Sequence, residues 1–227
     1  MCREGAWVEL AVKVTHKGLA RSWAHGIFCV QRGKSLETKK IYIVNSNVHT
    51  IPGKIIKTRA AMKIRNRHHG DAYPHVSLSM NEKLDNMLSF ARRGMHNPFN
   101  AGIVREDIRK AMFVKKPDKS QIAVMELTVT KEQYDAIEKQ VAEYWRRRKD
   151  LRYNFSGLMV MLLVARGKTS SNPNRFFCSQ WLASVLKDSG VDLFPGKKAH
   201  NVKPSDFYDA LGDNLIYEGL AVNYPLY

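Results

Sequence analysis

Tyr73-Pro74-His75-Val76-Ser77-Leu78-Ser79-Met80 alternates without a break: Val76, Leu78 and Met80 take one side, His75, Ser77 and Ser79 the other. A period of two marks a half-buried β-strand, and Pro74 stands at its start, where a missing N–H is tolerated. After the polar turn Asn81 to Asn86, Met87-Leu88-Ser89-Phe90-Ala91 reads as the antiparallel return strand, with a helix over Glu82 to Arg93 as the competing reading. Ile122-Ala123-Val124-Met125-Glu126-Leu127-Thr128-Val129 is a further strand, rich in β-branched residues and stopping at Thr130.

Helices follow the strands. Thr130-Lys131-Glu132-Gln133 matches a capping box, and Tyr134, Ile137, Val141 and Tyr144 continue a helical stripe to the basic run Arg146 to Lys149, whose charge suits a helix C-terminus. Phe155 to Ala165 predicts an apolar helix; its apolar core, Leu158 to Ala165, is far below the roughly 20 residues that cross a bilayer. Beyond the polar loop Gly167 to Asn174, Phe176 to Lys187 predicts a helix with Gly190 as its C′ residue. Pro204-Ser205-Asp206-Phe207 opens a short helix with Ser205 as cap and Asp206 as first-turn acid, and Leu215-Ile216-Tyr217 is a last strand.

Toward the N-terminus, Ile41 to Val44 is a short β-rich run, Thr50 to Met62 an irregular helix, and Arg65 to Gly70 a basic bridge holding His68 and His69. Trp7 to Val12 reads as a strand, whereas Gly33-Lys34-Ser35 and Lys39-Lys40 read as loop. Residues 1–40 therefore form an extension whose role its sequence does not state, and 41–227 form the main domain.

The chain has 227 residues, 44% of them hydrophobic, enough for one well-filled core. With 37 Lys+Arg against 21 Asp+Glu the formal net charge is +16, so anionic polymers and membranes attract it weakly and without specificity. No nucleic-acid recognition motif accompanies that charge. Three cysteines, Cys2, Cys29 and Cys178, with no C-x-x-C pair, exclude a disulfide framework and a Cys-rich zinc site, and His68 and His69 have no carboxylates at metal-ligand spacing. Neither a metal nor a cofactor is expected. The first residues lack the basic-then-apolar pattern of a signal peptide, and a cytoplasmic location is the expectation.

Cys178 falls at or just inside a helix N-terminus, where unpaired N–H groups and the macrodipole stabilise a thiolate and can receive an oxyanion. A buried apolar cysteine is the alternative reading. The alternation sends His75 to the side of Ser77, so a Cys178 helix packed on that side brings imidazole and thiol within hydrogen-bond reach. The alternative there is a core histidine bonded to a carbonyl. Gln180 is expected to point away from the thiol in a surface or packing place, and Phe176, Phe177 and Trp181 to belong to the core.

Tyr73-Pro74-His75-Val76-Ser77-Leu78, then Tyr153-Asn154-Phe155, then Arg175-Phe176-Phe177-Cys178-Ser179-Gln180-Trp181-Leu182 and Lys203-Pro204-Ser205-Asp206-Phe207, in this order, resemble the circularly permuted NlpC-type papain-like cysteine hydrolases, in their YiiX-like branch. The likeness covers roughly Ile41 to Phe207 and none of the first forty residues. It implies an α+β, permuted papain-like fold, a small antiparallel sheet packed against helices, with Cys178 as nucleophile, His75 as its base and a covalent acyl-enzyme. It also implies a polar residue on the next strand to orient the imidazole. Ser89 stands there, where the family has His, Asn, Gln or a carboxylate; Glu126 or Asn81 takes the role if the register differs.

The function expected is thus a thiol-dependent peptidase or amidase acting on a peptide or cell-wall fragment. Lipid acyl transfer or thioester hydrolysis on an acyl-lipid substrate is the second expectation, and a non-catalytic polyanion-binding module the third.

Overall fold

The computed structural model describes residues 7–9, 27–29, 37–47, 73–93, 100–158 and 172–225. The chain divides into two compact units, Met1–Glu37 and Thr38–Tyr227. In the first, β1 (Trp7–Glu9) pairs antiparallel with β2 (Ile27–Cys29), Val8 opposite Phe28. The second opens three residues before the expected boundary, because Thr38, Lys39 and Lys40 already pair with Thr130, Val129 and Thr128.

That second unit is a mixed α+β structure. Its sheet contains β3 (Thr38–Asn47), β4 (His75–Ser79), β5 (Met87–Arg92), β6 (Ala101–Glu106), β7 (Gln121–Thr130) and β10 (Leu215–Leu220), in the order β10-β7-β3-β4-β5-β6, all antiparallel. The helices are α1 (Met112–Lys115), α2 (Lys131–Arg146), α3 (Cys178–Asp188) and α4 (Pro204–Leu211). A two-residue parallel pair, β8 (Arg152–Tyr153) with β9 (Arg175–Phe176), leads into α3.

Alternation divides the sheet's apolar residues into two cores. Ile41, Ile43, Val76, Leu78, Leu88, Phe90 and Ile103 face α2, α3 and α4, meeting Ile137, Trp181, Leu182, Val185 and Phe207. Tyr42, Val44, Met87, Ile122 and Val124 face the other way, onto Ile108, Phe113 and Tyr224. The run Ile41 to Val44 is unbroken because β3 is covered on both sides. Trp181, fully buried, lies 5.9 Å from Phe90 and 6.0 Å from Tyr144, ring centre to ring centre.

Helix α2 starts as the capping box predicts: Gln133 N donates to Thr130 Oγ1 at 3.3 Å, and Thr130 N to Gln133 Oε1 at 3.0 Å. The same Gln133 donates through Nε2 to Gly190 O at 2.7 Å, tying the start of α2 to the end of α3. Gly190 has φ +80°, the left-handed C′ conformation that glycine adopts without strain. At α4 the cap differs from expectation. Lys203 is the N-cap and Pro204 the first helical residue, because Asp206 Oδ2 accepts from Lys203 N at 2.6 Å; Ser205 lies inside the helix. The expected helix over Thr50 to Met62, the bridge Arg65 to Gly70 with His68 and His69, and the helix from residue 159 onward lie outside the described residues; 155–158 are helical. Among the described residues no helix is long and apolar enough to cross a membrane.

Candidate active site

Cys178 is the first residue of α3 and His75 the first of β4. Helix α3 packs on the side of Val76 and Leu78, opposite to the side of His75 and Ser77 on which the sequence reading placed it. The two side chains nevertheless come close enough for the Cys178 sulfur to act on the imidazole. A terminal strand residue is not confined to one face, as an interior one is by its two neighbours. His75 is held at its backbone by pairing with Ser46 of β3, and the chain before it by Tyr73, whose hydroxyl donates to Glu218 Oε1 at 2.6 Å. Tyr208 donates to the other Glu218 oxygen at 3.1 Å and stacks on Tyr73.

The imidazole's second partner is Glu106, the last residue of β6. His75 Nε2 donates across 3.1 Å to Oε1 and 3.3 Å to Oε2, and the two side chains are only 13% and 9% exposed. Ser77 Oγ donates to Oε2 at 2.6 Å. Ser89 Oγ lies 3.2 Å from Nε2 and also bonds the carboxylate. Strand register explains the convergence. Glu106 is opposite Met87 and Ser89 opposite Val104, so Ser89 and Glu106 are diagonal neighbours on one face; Leu78 opposite Leu88 brings Ser77 to the same face.

Electrostatics follow from that enclosure. Burial by itself pushes the imidazole down, but the Glu106 charge and the hydrogen bonds to Cys178 and Glu106 reverse it and hold His75 well above its ordinary value. Burial likewise pushes Glu106 up, and the His75 charge with the donors His75, Ser77 and Ser89 brings it below the usual carboxylate range. Glu106 thus favours the imidazolium form of His75, which strengthens it as a base when neutral.

A third group touches the sulfur. Tyr153 is on β8, and Asn154 N donates to Phe176 O at 2.8 Å, which docks this segment beside the strand that leads into Cys178. Burial together with the nearby Cys178 sulfur pushes the Tyr153 phenol well up, so its hydroxyl stays protonated. At the helix start, Trp181 N is bonded to Phe177 O at 3.0 Å, and Phe177 as N-cap offers no side-chain acceptor. The amides of Cys178, Ser179 and Gln180 precede the first helical bond and are donors without an intrahelical partner.

Of the residues singled out by sequence, Cys178, His75 and Ser89 come together. Glu126 sits elsewhere, 2.9 Å from Lys40 Nζ, and Asn81 bonds Asp85 in the β4–β5 turn. Gln180 is buried rather than at the surface, with Oε1 unpartnered. Asp206 serves the α4 cap and accepts from Lys197 Nζ at 2.6 Å. Phe177 and Trp181 are fully buried, and Phe176 lies at the edge of the core. Glu106 and the role of Tyr153 were missed. The signal for Glu106 was Ala101-Gly102-Ile103-Val104-Arg105-Glu106, a short run with adjacent β-branched residues ending in a carboxylate. Among the described residues no group of three or more His, Cys, Asp and Glu is arranged to hold a metal ion. Comparison with protein-family models, with curated proteins and with solved structures found no match to this chain.

Proposed function

We propose that the chain is a thiol-dependent hydrolase, a peptidase or amidase of the circularly permuted papain-like type, with Cys178 as nucleophile, His75 as base and Glu106 as the group that orients and charges the imidazole. The observation that carries this reading is the series Cys178, buried His75 and Glu106, in which the sulfur acts on the imidazole and the imidazole is hydrogen-bonded to the carboxylate. An antiparallel sheet packed on helices, with the histidine strand preceding the cysteine helix, supports the permuted type. In the reaction His75, in its neutral form, takes the thiol proton and becomes the imidazolium, and the sulfur attacks the substrate carbonyl carbon. The oxyanion takes hydrogen bonds from the first-turn amides of α3 and from Tyr153. The imidazolium then gives its proton to the leaving amine, and water, deprotonated by His75, cleaves the thioester to free the acid and the thiol. Ser77 and Ser89 hold Glu106 in place, so in this reading Ser89 acts through the carboxylate.

One observation favours a second reading. Cys178 is only 4% exposed, as a cysteine kept for packing would be. In that case the buried series stabilises a non-catalytic module. Alkylation by iodoacetamide at mildly acidic pH separates the two. Under the catalytic reading Cys178 reacts much faster than Cys2 and Cys29, and His75→Ala slows it. Equal labelling of the three cysteines, or no labelling of Cys178, with no effect of His75→Ala, overturns it.

A further inference from the structure

At the outer edge of the sheet, beside β6, a cleft of about 500 Å³ opens between the β5–β6 ladder and the turn that precedes α1. That volume lies within the range of roughly 300–1,000 Å³ typical of small-molecule sites. Its charges do not cancel. Of the lining acids, Glu106 turns inward to His75, and Asp107 is met by Lys110 Nζ at 3.1 Å and Arg109 Nε at 3.4 Å. Asp85 accepts from Asn81 and lies 3.9 Å from Arg109. The lining arginines have no such match: among the described residues Arg92, Arg93 and Arg105 form no ion pair with a carboxylate.

Two of these are fixed by neutral or repulsive neighbours. Arg93 Nη2 donates to Leu151 O at 2.9 Å and to Arg148 O, beyond the end of α2, and burial together with the positive charge of Arg152 pushes its guanidinium down. Arg105 lies over the Trp145 ring at 4.3 Å, with Arg148 at 5.1 Å from the same ring. The Arg92 side chain makes no hydrogen bond to a described residue. Three arginines without a carboxylate partner line one concavity, and the paired N–H donors of a guanidinium match the geometry and charge of a phosphate.

We propose that this cleft binds the phosphate group of a small, soluble phosphate ester, held by Arg92 and Arg105 with Arg93 behind them. A volume of that size suits a small ligand. Glu106 also lines the cleft, its carboxylate turned inward to His75; binding requires nothing of Cys178, so its test reads separately from the catalytic reading.

Calorimetric titration of the full chain with inorganic pyrophosphate tests it. Saturable one-to-one binding is expected, weakened about 10- to 100-fold by Arg92→Gln and further by Arg92→Gln/Arg105→Gln, the loss expected for a hydrogen bond to a charged group. Lys149→Gln, in the basic run outside the cleft, is expected to leave the affinity unchanged. Thermal melting without ligand checks that each variant is folded; Arg92→Gln removes no described contact and keeps the test decisive if Arg105→Gln perturbs the Trp145 stack. Absence of saturable binding, equal affinity of the arginine variants, or an equal loss in Lys149→Gln overturns the proposal. So does binding to phosphatidic acid vesicles that depends on Arg92 and Arg105 without binding of pyrophosphate, since it places the phosphate in a lipid headgroup.

Discussion

His75 Nε2 lies 3.1 Å from Glu106 Oε1, a contact between residues 31 apart in the chain that links the start of β4 to the end of edge strand β6. Two serines complete the shell of donors around the carboxylate. An ionised carboxylate holds an imidazolium more strongly than a hydroxyl does, because attraction between opposite charges adds to the hydrogen bond. Glu106 therefore dominates over Ser89 as the imidazole's partner.

Glu106→Gln keeps the shape of that partner and removes its charge. Iodoacetamide labelling of Cys178 is expected to slow about 100-fold, the lower part of the range for acid–base assistance. Ser89→Ala is expected to slow it less than about tenfold. Labelling kinetics of the two variants, compared at one pH, check the order; a larger effect of Ser89→Ala would return the orienting role to the serine.

Stability is expected to depend on pH through the same pair. His75 is raised in the folded chain, so its contribution is complete below the unfolded value of about 6.5 and is lost as pH rises through the folded value. Glu106 is depressed, so its contribution is present above the unfolded value of about 4.3 and is lost as pH falls through the folded one. The pair thus stabilises most between those two unfolded values. Urea unfolding across pH 3 to 10 should show a decline on each side, and in Glu106→Gln both should shrink.

Tyr153→Phe removes the hydroxyl beside the sulfur and little else. Turnover of an activated acyl ester or amide by Cys178 is expected to fall about 10- to 100-fold, within the loss for one oxyanion donor or below it, with melting nearly unchanged. Steady-state kinetics with the variant check this; an undiminished rate would remove Tyr153 from the chemistry.

Gly102→Ala tests how β6 is joined to the end of α2. A Cβ at Gly102 falls 2.7 Å from Leu151 O and against the Arg93 guanidinium, so β6 needs glycine where that arginine crosses it. A loss of about 1–3 kcal/mol is expected, the usual cost of overpacking. Adding Arg93→Ala should recover only part of it, because the backbone clash with Leu151 remains. Chemical denaturation of both variants measures the difference.

Alternation about His75, the capping box at Thr130, the helix that begins at Cys178 and the glycine at its end were legible in the sequence, because each rests on neighbours a few residues away. Those patterns determined the main elements and placed a cysteine at a helix start. Tertiary structure alone decided the partners. Glu106 reaches His75 through the β5–β6 register, Tyr153 reaches Cys178 through the β8–β9 pair, and α3 packs on the Val76 side of β4 although the alternation pointed to the other. Pairing of strands and packing of a helix on a sheet are set by burial of apolar surface summed over the whole domain, and no local pattern of polar residues carries that information.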